Sequence, residues 1–76
     1  MKAYILIEIR TGEIGEVVKH LKRVEGVTEA NMTFGPYDAV AVVEAEDVNE
    51  IGHIIASGIQ PIPGVLETLT CLSIEN

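Results

Sequence analysis

The chain has 76 residues, 47% of them apolar, with five Lys or Arg against twelve Asp or Glu and a net charge of −7. That length allows one domain, spanning residues 1–76, and that charge excludes a phosphate-backbone partner, which needs clustered cations. A chain so short buries only about 60% of its unfolded surface, yet its mean hydropathy is +0.31. There are more apolar side chains than one small core hides, so self-association is the first expectation. One cysteine excludes an internal disulfide and fits a reducing compartment. Met1-Lys2 is followed by an apolar run of strand length, cut by Glu8 and Arg10, which is not a secretory signal. No run approaches the ~18 apolar residues of a spanning helix. The expected location is the cytoplasm.

Ala3 to Ile9 is a β-branched run of strand length that ends at the turn pair Thr11-Gly12. Ile14, Val17, Val18 and Leu21 then recur at i, i+3, i+4 and i+7, which predicts an amphipathic helix of about three turns, stopped by Gly26. Glu13 and Glu16 near its start, and Lys19, Lys22 and Arg23 near its end, suit the helix dipole. Residues 27–44 read as two strands joined at Gly35-Pro36-Tyr37-Asp38, a compact turn signal. Asp47 and Glu50 are spaced as a capping box opening a second helix, with Val48, Ile51, Ile54, Ile55 and Ile59 on its apolar face. Fraying or a cap is expected near Gly58, and Pro61 and Pro63 prevent continuation. Val65 to Ile74 forms the last strand.

The order β-α-β-β-α-β is that of a split βαβ pair, the ferredoxin-like fold of the α+β class. Right-handed crossovers place both helices on one face of a four-stranded antiparallel sheet. The halves also echo: Glu25-Gly26-Val27-Thr28-Glu29 returns as Pro63-Gly64-Val65-Leu66-Glu67, at an offset of 38 residues. Two helices cover one sheet face, so the other face should be polar. It is not. Ile5, Ile7 and Ile9 oppose Tyr4 and Leu6; Ala39, Ala41 and Val43 oppose Val40 and Val42; Leu66 and Leu72 are expected to oppose Val65 and Leu69. The second face must meet another subunit, most simply the same face of a copy, as in dimeric α/β barrels.

Catalytic and metal chemistry find little support. His20, His53 and Cys71 lack a recurring ligand spacing. Cys71 lies in an apolar strand, where a buried, inert thiol is expected. Glu44, Glu46 and Asp47 straddle a strand end and a helix cap. No Gly-rich phosphate cradle is present, and no cofactor or metal is expected. The hairpin loop is the better candidate. Gly35 lets backbone N–H groups approach a ligand carboxylate, and Asp38 offers an acceptor to an ammonium group. An α-amino acid carries both groups.

Gly35-Pro36-Tyr37-Asp38, a hydrophobic strand, a helix and then Pro63-Gly64-Val65-Leu66-Glu67-Thr68-Leu69-Thr70 together resemble the effector domain of the Lrp/AsnC regulators, called RAM. The resemblance spans essentially the whole chain. It implies a non-enzymatic domain whose dimers form through the sheets and assemble further, with small effectors, commonly amino acids, held between dimers. Carried over by position, it implies ligand contacts from Gly35, Tyr37, Asp38, Thr68 and Thr70. Full-length members carry an N-terminal helix-turn-helix domain; this chain resembles the stand-alone form. The expected function is therefore amino-acid sensing by a homo-oligomer that modulates transcription through a full-length regulator. The competing readings are a purely structural oligomerisation module and a small dimeric ferredoxin-like enzyme, the latter disfavoured because neither His falls on a strand.

Overall fold

The computed structural model describes residues 1–74. In chain order these form β1 (Lys2–Ile9), α1 (Ile14–Leu21), β2 (Val27–Met32), β3 (Ala39–Glu44), α2 (Val48–Ile54), a π-helical turn (Ile55–Ile59) and β4 (Val65–Leu72). The sheet runs β2-β3-β1-β4 with every pair antiparallel. This is the ferredoxin-like α+β fold, with both helices packed on one side.

Alternation along the central strands sets that side. Ala3, Ile5 and Ile7 of β1, and Ala39, Ala41 and Val43 of β3, are wholly enclosed. Over them lie Val17, Val18 and Leu21 of α1, Ile51 of α2, and Ile55 and Ile59 of the π turn. Met1 and Ser73 tie the chain ends to the same region. The terminal amine donates to the Ala45 carbonyl at 2.8 Å, Ala3 pairs with Leu72, and the Ser73 N–H donates to the Lys2 carbonyl at 2.9 Å.

The helices depart from expectation at their C-terminal ends. Helix α1 has eight residues rather than about three turns. After Leu21 the bonds tighten to i→i+3 spacing, Arg23 N–H to His20 O and Val24 N–H to Leu21 O. The capping box of α2 is realised: Asp47 Oδ1 accepts from the Glu50 N–H at 2.9 Å, and Glu50 Oε1 from the Glu46 N–H at 2.7 Å. Its return arm thus reaches one residue before the cap. The fraying expected near Gly58 does not occur. The chain widens instead into the π turn, closed by the Gln60 N–H on the Ile55 carbonyl at 2.8 Å. Gly58 is there for packing: a Cβ on it would stand 2.7 Å from Val24 Cγ1.

The two echoing segments form twin junctions. Gly26 and Gly64 have φ of 99° and 102°, a left-handed conformation that glycine adopts freely. The Val27 and Val65 N–H groups donate to Val24 and Ile62, both at 3.1 Å. The Gly26 and Gly64 carbonyls accept from Glu44 and Arg10, at 2.9 and 2.8 Å. Each strand then carries one extra residue, Thr28 in β2 and Leu66 in β4. The Leu66 bulge corrects the expected facing of β4, because it resets the alternation. Val65 and Leu72 share the helix side, opposite Ile9 and Ala3, while Leu69 lies beside Leu6 on the other face. Strand β4 also ends at Leu72, two residues short of Ile74.

Candidate ligand-binding loop and open sheet face

Thr33 and Asp38 close the hairpin loop, Thr33 N–H to the Asp38 carbonyl at 3.0 Å and Thr33 Oγ1–H to the Tyr37 carbonyl at 2.8 Å. The Asp38 N–H donates to the Ile7 carbonyl at 2.9 Å, and the Ile9 N–H donates to Asp38 Oδ2 at 2.7 Å. The carboxylate thus stands where a further strand carbonyl would, extending the β1–β3 ladder past its last pair. Asp38 and Tyr37 are half-buried; Phe34 is fully exposed. Gly35 has no left-handed φ, and a Cβ on it would meet nothing within 4 Å. The turn itself does not call for glycine at that position.

Thr68 and Thr70 lie opposite Ile7 and Ile5, on the helix side of the edge strand β4. Asp38 and Thr68 flank β1 from opposite sides, roughly 10 Å apart at ordinary strand spacing. Ile7 lies between them, and on the helix side it is already covered by the chain's own core, so a ligand on that side does not bridge them within one chain. One chain therefore brings Gly35, Tyr37 and Asp38 together, and separately Thr68 and Thr70. It does not bring the two groups to one pocket. Open clefts lie elsewhere, between the Val24–Gly26 turn and α2, along α1 by Pro63, and beside β2. Gln60, which sequence reasoning does not single out, donates from Nε2 to Thr68 Oγ1 at 3.1 Å. Its only sequence signal is an amide side chain just before Pro61.

The face away from the helices carries two cross-strand rows. One runs Asn31, Val40, Leu6, Leu69; the other runs Glu29, Val42, Tyr4, Cys71. Leu6, Val40 and Val42 are half-buried, while Tyr4 and Leu69 are 39% and 50% exposed. Charged pairs frame the rows, Lys2 beside Glu44 and Glu8 beside Glu67. Cys71 is exposed, not buried as expected, because its side of β4 is covered by no layer of this chain. His20 and His53 lie in α1 and α2. Among the described residues no group of three or more His, Cys, Asp or Glu could hold a metal ion, and no helix is long and apolar enough to cross a membrane.

The architecture is a ferredoxin-like sheet with both helices on one face. A family model described as the Lrp/AsnC ligand binding domain matches residues 2–76, and the chain belongs to that family. It is 32% identical over 75 residues to the HTH-type transcriptional regulator FL11 of Pyrococcus abyssi, which covers 99% of this chain and 49% of the regulator. The chain thus spans about half the length of that curated relative. Its fold matches a crystal structure of TTHA0845 from Thermus thermophilus with a TM-score of 0.93 and 31% identity, over 99% of this chain and 94% of that one. It is also 39% identical over 59 residues to homocitrate synthase of Sulfurisphaera tokodaii, covering 78% of this chain and 13% of the enzyme.

Proposed function

We propose that the chain is an amino-acid-sensing module that homo-oligomerises, binds its effector between subunits and modulates transcription by associating with a full-length Lrp/AsnC regulator. The observation that carries the assembly is the open sheet face. Leu6, Val40, Val42, Tyr4 and Leu69 form its apolar centre, with Glu29 and Asn31 at the β2 edge and charged pairs at the borders, and a second copy laid face to face would bury that centre at roughly 25 cal/mol per Å². The separation of Asp38 from Thr68 by the enclosed Ile7 supports the site's location. Loop and strand serve as two half-sites, each completed by the other half from a copy outside the face-to-face pair, because Thr68 and Thr70 lie on the helix side and not on the open face. Asp38 Oδ1, outside the bond to Ile9, receives the effector's ammonium group; Gly35, with free space around it, lets the loop backbone approach the carboxylate; Tyr37 and the Thr68 and Thr70 hydroxyls complete the enclosure. Ligand held at such a boundary favours the assembly that contains it.

Sedimentation velocity with and without each common amino acid, paired with calorimetric titration, tests this. The expected result is an oligomer whose size or stability responds to at least one amino acid, with the heat lost in Asp38→Ala. An oligomer that binds none of them fits a purely structural module and overturns the sensing role. A compact monomer at micromolar concentration overturns both parts. The similarity to part of homocitrate synthase favours a second reading, in which the same module reports effector level to a biosynthetic enzyme. Recovery of an enzyme chain, rather than a DNA-binding regulator, on affinity capture from native lysate distinguishes the two.

A further inference from the structure

Resting on that reading of loop and strand as two halves of one site, we propose that Gln60 is a ligand-contacting residue of the β4 half, and that it selects amino acids with uncharged side chains. The bond from Gln60 Nε2 to Thr68 Oγ1 joins the end of the π turn to β4. By contrast, the Arg10–Glu13 and Asn31–Glu29 side-chain bonds each stay within one segment. Gln60 is exposed, so the bond contributes little to stability, in the range of an ordinary surface contact.

What it does is orient chemistry. By accepting from Gln60, the Thr68 hydroxyl has its own hydrogen free to donate outward. The amide keeps a second N–H and its Oε1 for a ligand. Thr70 lies two residues along on the same side, and Leu72 two further. Among the described residues of β4, the positions on this side from Thr68 to Leu72 carry no charge. The acidic residue of β4, Glu67, is turned to the opposite face beside Glu8. A charged ligand side chain placed against Gln60, Thr68 and Thr70 would lose water without gaining a counter-charge, whereas a neutral one gains the amide's donor and acceptor. The net charge of −7 adds a further penalty for an acidic ligand.

The test is calorimetric titration of the full chain, and of Gln60→Glu, Gln60→Ala and Asp38→Asn, with L-glutamine, L-leucine, L-glutamate and L-lysine. The wild type is expected to bind glutamine or leucine at least about tenfold more tightly than glutamate or lysine. The near-isosteric Gln60→Glu is expected to raise affinity for lysine relative to the neutral ligands by about tenfold. Gln60→Ala should weaken the preferred neutral ligand by about threefold to tenfold. A wild-type preference for glutamate or lysine overturns the proposal. So does an unchanged ligand ranking in both Gln60 variants while Asp38→Asn still abolishes binding, a result that leaves the site itself standing. If the wild type binds no amino acid, or Asp38→Asn binds as the wild type does, the site reading falls and this inference with it.

Discussion

The two faces of the sheet are made by neighbouring residues of the same strands, yet they differ in how their apolar content is used. On one side Ala3, Ile5, Ile7, Ala39, Ala41 and Val43 have no exposed surface at all. On the other Tyr4, Leu6, Val40, Val42 and Leu69 are comparably greasy, but Tyr4 and Leu69 keep 39% and 50% of their surface in water. The first side has a helical lid from its own chain. The second has none. A strand that is apolar at every position therefore offers two faces for burial, and this chain covers only one of them.

Exchanging residues across the sheet tests that difference most severely. Ile7→Ala, on the lidded side, should cost about 3 kcal/mol of folding stability through lost burial and a cavity, read by denaturant unfolding. Its neighbour Leu6→Lys should act differently: sedimentation should show loss of the assembly while circular dichroism shows the protomer's secondary structure retained. A Leu6→Lys protein that still assembles would show that the open face is not the contact. Gly64→Ala probes what keeps β4 in register with the lidded side. At φ 102° its Cβ would stand 2.9 Å from Glu13 Oε1 and 3.0 Å from Val17 Cγ2, so a loss of about 1–3 kcal/mol is expected in thermal or denaturant melts.

Two smaller changes lie off both faces and serve as controls. Asp47→Ala removes the acceptor for the Glu50 N–H and should cost about 1 kcal/mol without altering assembly, as measured by unfolding and sedimentation side by side. Gly35→Ala should leave stability within about 0.5 kcal/mol, because neither its φ nor its surroundings need glycine. Its effect should appear only as weakened effector binding in calorimetry. A large loss of stability there would mean that the glycine serves the turn and not a ligand.

Topology was legible because it rests on short-range periodicity. The shift from 3.6-residue to two-residue spacing, the Asp47–Glu50 pair and the repeated Gly-Val lead into β2 and β4 are all local signals. What escaped depends on partners distant in sequence. The bulge at Leu66 is defined by the β1 residues that pair on either side of it, so alternation counted along β4 alone opposed Leu72 to Leu69 correctly but put Val65 on the wrong face relative to both. The bond from Ile9 to Asp38 spans 29 positions, and it takes one oxygen of a carboxylate read from sequence as a turn former or a ligand group. The burial expected of Cys71 failed because an apolar strand does not say which of its faces is covered. The π turn had no evident signal, since Gly58 reads equally well as a helix stop.

Because Ala3 pairs with Leu72, and the Lys2 carbonyl accepts from the Ser73 N–H, the described chain enters and leaves the sheet side by side. An appendage spliced at the front or the back would hang from one corner, with the hairpin loop at the opposite end of the strands. Joining the present ends through a short linker and opening the chain between Phe34 and Tyr37 would yield a rearranged polypeptide with the same strand neighbours. Such a molecule would keep the open sheet face while severing the loop proposed to hold the effector, so that a single experiment tests assembly and binding apart.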